Sequence, residues 1–245
     1  MLLRPPPSSG RTLLTAKEFA HTCRRQRRAV LSPRVTAGLW RLSVAVSLMA
    51  KRAVDLLGAA AGIVVLGPLL LATAIAIRLE SPGPVLFRQV RVGKRAKPFV
   101  MYKFRSMFTD AEERLAGLTR QNESKDGVIF KMRADPRVTR VGKVIRRLSI
   151  DELPQLLNVL RGEMSIVGPR PALPSEVAQY DPIARKRLQA KPGLTCLWQI
   201  SGRSNLAFSE QIDLDLRYLQ SKSFGEDIAI IAKTVPAVLT GKGAY

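Results

Sequence analysis

Two adjacent carboxylates, Asp151 and Glu152, stand in the stretch IRRLSIDELPQLLNVLRGEMSIVGPRP, residues 145–171, among Arg146, Arg147, Arg161 and Arg170. Carboxylates ringed by guanidiniums suit chemistry on a phosphorylated substrate. One carboxylate can act as nucleophile or hold a divalent cation, while arginines neutralise phosphate oxygens. A helix start with local ion pairs would gather the same residue types, so the dyad alone leaves both readings open. His21 is the only histidine, which argues against His-based metal sites and Ser-His or Cys-His nucleophilic machinery. Catalysis must then rest on carboxylates, Lys, Arg or a bound ion.

The elements around the dyad follow from its prolines. Ser149-Ile-Asp-Glu152 fits a capping box, but a helix capped by Ser149 would carry Pro154 at its fifth position, where the missing N–H breaks the ladder. Starting the helix at Asp151 or later puts Pro154 in the first turn, where that donor is not needed. The dyad is therefore expected at the mouth of a helix Leu153–Leu160, where helix-terminal N–H groups favour negative charge. Beyond it, Gly168-Pro169-Arg170-Pro171 holds Arg170 on a stiff extended backbone, suited to aiming one guanidinium at a phosphate; a plain structural turn is the alternative. Val85–Gln89 and Phe99–Phe104 read as strands joined by a cationic bend, Arg91-Val92-Gly93-Lys94, suited to a phosphate or to a solvated hairpin. Helices are expected at Phe108–Thr119 and Arg140–Arg147, with a short strand at Val128–Met132.

From Ala53 to Ile77 runs the one long apolar segment, AVDLLGAAAGIVVLGPLLLATAIAI. As a helix it would rise roughly 37 Å, enough for a ~30 Å hydrocarbon core. Pro68, after Gly67, cannot donate to the Val64 carbonyl, so a break is expected there. Lys51 and Arg52 precede the run and Arg78, Arg88, Arg91, Lys94, Arg95 and Lys97 follow it. Positive charge at both ends contradicts a single crossing. A re-entrant helix–break–helix hinged at Gly67-Pro68 reconciles length with charge, ahead of a kinked span or a buried core helix.

The chain carries a formal charge of +21 over 245 residues. An anionic partner follows: nucleic acid, an anionic membrane face or phosphorylated small molecules. The apolar run, the scarcity of aromatics and the lack of a zinc or helix-turn-helix signature argue against nucleic acid. Residues 1–50 are Arg-rich, with Arg24, Arg25, Arg27 and Arg28 in one cluster, and read as a basic disordered tail without a signal peptide. A natural start at Met49 is the alternative. Cys23 and Cys196 lack paired spacing, which fits a reducing compartment. The C-terminal stretches FSEQIDLDLRYLQ and DIAIIAKTVPAVLTG are expected to be helices, the second packed on the core or lying along an interface.

Together, KFRSM (103–107), residues 135–171, KPGLTCLWQISGR (191–203) and the terminal GKGAY resemble the bacterial sugar transferase family. These are the monotopic polyprenyl-phosphate phosphoglycosyl transferases. The resemblance covers about Lys51 to Tyr245. It implies an α+β fold: a compact, mostly helical cytosolic domain with a small sheet at residues 81–245, and a re-entrant membrane hairpin at residues 51–80. It also implies transfer of a sugar-1-phosphate from a UDP-sugar to undecaprenyl phosphate with release of UMP, beginning exopolysaccharide, capsule or O-antigen assembly. Asp151 would be the nucleophile toward the β-phosphorus and Glu152 would help hold Mg²⁺. Arg170 would be a phosphate ligand, and Pro68 the hairpin proline. Lys103, Arg105, Arg88 and Arg91 are further phosphate or headgroup contacts, and Gln199 and Arg203 nucleotide or sugar contacts. The setting implied is the cytoplasmic face of the bacterial inner membrane, with downstream glycosyltransferases as partners and galactose or glucose as the sugar. One departure stands out. Cys196 occupies a position that is usually glycine in the family, which matters if positive φ is needed there.

Overall fold

A computed structural model describes residues 33–118, 122–123, 132, 134–203 and 206–240. It is mostly helical, with two small sheets. Helix α1 spans Pro33–Val65 and α2 spans Gly67–Glu80. The break falls where the sequence places it: Pro68 lies in the first turn of α2, where its missing donor costs nothing. The axes of Trp40–Val65 and Gly67–Glu80 differ by 61°. No single helix among the described residues is long and apolar enough to cross a membrane, whereas this bent pair passes that test together.

The expected basic tail falls only partly on described residues. Residues 1–32 lie outside the described residues, but from Pro33 onward the segment is helical and continuous with the apolar run. The chain divides into two units at Leu48/Met49, and the second, Met49–Tyr245, holds every remaining element.

Strands β1 (Leu86–Val92) and β2 (Pro98–Phe104) form an antiparallel hairpin with Leu86 opposite Phe104 and Val92 opposite Pro98. A one-turn 3₁₀ helix, Lys94–Ala96, closes it with Arg95 and Ala96 in the left-handed region. Helix α3 (Ala111–Leu118) begins three residues later than expected, and the expected strand at Val128–Met132 lies almost wholly outside the described residues. Helix α4 covers Arg140–Arg147, capped by the Thr139 hydroxyl, which accepts from Gly142 N at 2.9 Å.

Helix α5 (Leu156–Arg161) leads to β3 (Ser165–Val167), which pairs in parallel with β4 (Gly193–Thr195). Between β3 and β4 lies the short helix α6 (Pro174–Ala178). Helix α7 (Leu197–Ser201) then precedes the long C-terminal helices α8 (Phe208–Ser221) and α9 (Phe224–Thr240).

Both limbs of the bent pair root in the domain core. Ala59 of α1 is buried with Met101, Leu156, Val159 and Met164. Ile77 of α2 is buried with Phe104 and Ile145. Gly58 allows the close approach, since a Cβ there would meet Ile166 Cδ1 at 2.6 Å. Polar staples hold the ends. Asp55 accepts from Ser165 Oγ and Ile166 N, both at 2.9 Å. Arg52 donates to the terminal carbonyls of α5 at Val159 and Leu160. Glu80 accepts from the first free N–H groups of α4, at Arg140 and Val141. Beyond these roots the limbs expose Leu57, Val64, Val65, Leu71, Ile75 and Leu79.

Candidate active site

The dyad lies not on an α-helix but on a 3₁₀ turn, Ile150–Gln155, that runs into α5. The capping box does not form: Ser149 has φ +54° and makes no side-chain cap. Pro154 explains the departure, because a 3₁₀ turn this short asks less of its donors than an α-helical ladder. The carboxylates still sit at the start of the helical segment.

Asp151 is buried, 8 % exposed. Burial pushes its carboxyl up to about 6; Lys103 opposes the rise, the neighbouring Glu152 charge adds to it, and Arg146 opposes again. Glu152 moves the other way. Burial would raise it, but Lys103 and Arg170, with donors from Lys103 and Gln199, hold it at about 2. Lys103 Nζ donates to Oε1 at 2.8 Å and Gln199 Nε2 to Oε2 at 3.4 Å. The environment thus separates two chemically similar groups, one anchored as a carboxylate and one whose charge costs more.

Lys103 reaches Glu152 because β2 packs on the 3₁₀ turn. Asn158, wholly buried on α5, fastens that contact. Its Oδ1 accepts from Tyr102 N at 3.1 Å, and its Nδ2 donates to Val100 O at 2.7 Å and to Glu163 at 2.6 Å. Sequence reasoning passed over Asn158; a lone amide inside the apolar run LLNVL was the available signal.

Arg170 is exposed, with its guanidinium 5.5 Å from the centre of the Trp198 ring. Its loop is pinned from both sides. Arg187 donates to Arg170 O at 3.1 Å and to the Tyr180 hydroxyl at 2.9 Å, while pairing with buried Asp215. Arg91 donates to Pro171 O at 3.1 Å and to Gln89. Gly168 and Gly193 permit the close crossing beneath the loop, where a Cβ on Gly193 would lie 2.1 Å from Gly168 N.

Two of the expected phosphate contacts, Arg91 and Arg105, instead hold backbone carbonyls. Arg91 is a buried clamp on the Pro-Arg-Pro backbone, its pKa lowered to about 10 by burial and by Arg170. Arg105 is buried and donates to the Ser81 and Pro82 carbonyls, so it fixes the turn after α2. Arg88 lies exposed on β1 with its guanidinium 6.0 Å from the Tyr102 ring centre. Of the arginines flanking the dyad in sequence, Arg161 also turns away, donating to the Tyr102 hydroxyl.

Arg203 reaches the turn that carries the dyad. Its Nη2 donates to Ser149 Oγ at 3.0 Å, while Nη1 is buried without a hydrogen-bond partner among the described residues. Both residues of that contact hold φ of +54°, strain placed beside the dyad. Cys196 resolves the glycine departure: its φ is −154°, an extended backbone open to any residue. Its thiol is buried, and burial keeps it protonated.

The donor set suits a hard cation of the Mg²⁺ type. Among the described residues no group of three His, Cys, Asp or Glu side chains forms a closed cage. Two adjacent carboxylates are what Mg²⁺ uses when substrate phosphates and water complete its shell.

Residues 46–241 match the family model described as bacterial sugar transferase. The chain is 46% identical over 198 residues to the galactosyl transferase CpsE of Streptococcus agalactiae, covering 80% of this chain and 44% of that protein. It is 41% identical over 200 residues to the exopolysaccharide production protein ExoY of Rhizobium meliloti, covering 80% and 88%. It is 43% identical over 203 residues to the UDP-glucose:undecaprenyl-phosphate glucose-1-phosphate transferase of Caulobacter vibrioides, covering 80% and 72%. The chain thus spans under half of the streptococcal relative and most of the other two.

Proposed function

The chain belongs to the bacterial sugar transferase family, and from that membership we propose that it transfers a sugar-1-phosphate from a UDP-sugar to undecaprenyl phosphate, releasing UMP. The observation that carries the reading is the divided dyad: Glu152 held ionised by Lys103 and Gln199, with Asp151 buried beside it and Arg170 and Arg203 at its rim. In the proposed reaction an Asp151 oxygen attacks the β-phosphorus of the UDP-sugar. The bond to the bridging oxygen breaks and UMP leaves, with the sugar phosphate on Asp151. An oxygen of undecaprenyl phosphate then attacks the same phosphorus and frees the carboxylate. Two half-reactions on one nucleophile predict ping-pong kinetics.

The side chains have separable tasks. Lys103 and Arg170 lower the repulsion between a carboxylate and an anionic diphosphate. The Arg203 Nη1 group, unpartnered among the described residues, offers a donor to a phosphoryl oxygen. Glu152, with Asp151 adjacent, would hold Mg²⁺, which when bound neutralises diphosphate charge. Glucose or galactose is the proposed sugar, as the names of the streptococcal and Caulobacter relatives suggest.

We place the chain at the cytoplasmic face of the bacterial inner membrane. Support comes from the bent apolar pair and from its roots. Lys51, Arg52 and Asp55 at the start of the apolar run, and Ile77 and Glu80 at its close, are tied to the same domain. A crossing would put those ends on opposite sides. The test is UMP release from a panel of UDP-sugars with undecaprenyl phosphate and Mg²⁺. Asp151→Asn should lower turnover by at least ~10³-fold, the scale of a lost nucleophile. Turnover near wild type would remove Asp151 from that role.

A further inference from the structure

Away from the dyad, cations from four stretches of the chain converge where α1 enters the domain. They are Lys51 and Arg52 on α1, Lys94 at the β1–β2 tip, Lys191 before β4 and Lys222 between α8 and α9. Arg52 Nη2 and Lys191 Nζ lie 3.3 and 3.7 Å from one point, the place a Cβ on Gly162 would take. The group acts as one electrostatic cluster. Burial, then the charges of Arg52, Lys94 and Lys51, lower the Lys191 pKa, with Asp55 opposing. Burial lowers Lys222 as well, followed by Lys51 and Lys94, with Asp227 and Asp55 opposing.

Both facing carboxylates are already engaged. Asp227 accepts from Lys51 at 2.5 Å and from the Tyr218 hydroxyl at 2.7 Å, and Asp55 accepts from Ser165 and Ile166. Among the described residues these five cations outnumber the two carboxylates, and like charges held together weaken the folded state unless an anion joins them. The border of the cluster is apolar. Phe224 and Ile228 of α9 line a cleft with Lys51 and Val54 and are 54 and 45 % exposed, and Leu57 is exposed one turn further along α1.

We propose that this cluster binds the phosphodiester headgroup of an anionic phospholipid, with Phe224 and Ile228 seated at the edge of the acyl region. Cations beside exposed apolar side chains match a bilayer surface, whereas a soluble phosphate has no use for the apolar edge. The dyad is served by other cations, chiefly Lys103, Arg146 and Arg170. The inference rests on the bilayer reading above.

The test reconstitutes the full chain in nanodiscs of equal phosphatidylglycerol and phosphatidylcholine and counts retained lipids by native mass spectrometry. Wild type should retain phosphatidylglycerol above the bulk ratio. Lys94→Gln/Lys191→Gln/Lys222→Gln should lose at least about five-fold of that excess, the effect of even one of the three at ~1 kcal/mol per basic residue near an anionic surface. Lys143→Gln on α4 should leave it unchanged. Lys94→Gln/Lys222→Gln leaves Lys191 in place and decides the matter if the triple variant misfolds. A wild type at the bulk ratio, or a folded variant that keeps the excess, overturns the proposal. So does displacement of the lipid by millimolar inorganic phosphate, which would assign the cluster to a soluble anion. Failure to enter nanodiscs would overturn the bilayer reading with it, while normal UMP release would leave the proposed chemistry standing.

Discussion

At the scale of single residues, the dyad divides its labour through environment. Asp151 binds its proton more tightly in the folded chain than at its ordinary 3.8, up to about 6. Ionising it therefore costs stability that is kept below about 4 and lost as pH rises toward 6. Asp151→Asn should raise stability at pH 7.5 by about 1–3 kcal/mol, read as a higher melting temperature, while it abolishes turnover. If a deprotonated Asp151 is the nucleophile, kcat/KM should rise through a limb near pH 6. Lys103→Met removes the charge that restrains Asp151, so that limb should move to higher pH; an unmoved limb would detach Lys103 from Asp151. Cys196→Gly should remain active, because the position has no positive φ to satisfy. It should lose roughly 1–2 kcal/mol of packing and backbone rigidity, measured by urea denaturation. The dyad and Arg170 were legible as residue types in the sequence. The buried clamps Arg91 and Arg105 were not, because a guanidinium reads alike whether it meets phosphate or a carbonyl.

At the scale of elements, position comes from buried polar fasteners. Asn158 joins β2 to α5 and so brings Lys103 to Glu152. Asn158→Leu strands two backbone groups and should cost about 2–4 kcal/mol. In variants that still fold, it should also weaken the Lys103–Glu152 pair, seen as a higher Glu152 pKa by carboxylate NMR. Helices α4, α8 and α9 and the β1–β2 hairpin were readable from periodicity and turn residues. The 3₁₀ turn under the dyad was not, since Pro154 excludes an interior α-helical position without choosing between a late α-helix and a tighter turn. The parallel β3–β4 pair was equally hidden: strands of three residues carry too few alternations to stand out.

At the scale of the whole molecule, the apolar run and the domain meet through side chains at both ends of the run. Cysteine labels placed before Lys51 and after Arg78 should react from one side of a sealed vesicle. Opposite-side labelling would replace re-entry with a crossing. Pro68→Ala restores the donor to the Val64 carbonyl and should shift some molecules toward far-side labelling. Unchanged one-sided labelling would count against Pro68 as the determinant.

The amino-acid sequence alone determined the family, the carboxylate pair, the broken apolar helix and the prolines that shape both. These are local properties, carried by residue type, spacing and backbone restriction. Tertiary structure alone decided which cations serve the dyad and which bind carbonyls, because that depends on residues distant in the chain meeting in space. Lys103 lies 49 positions from Glu152 and Arg91 lies 80 from Pro171. Burial, which separates Asp151 from Glu152 in proton affinity, likewise arises only when those segments close over the pair.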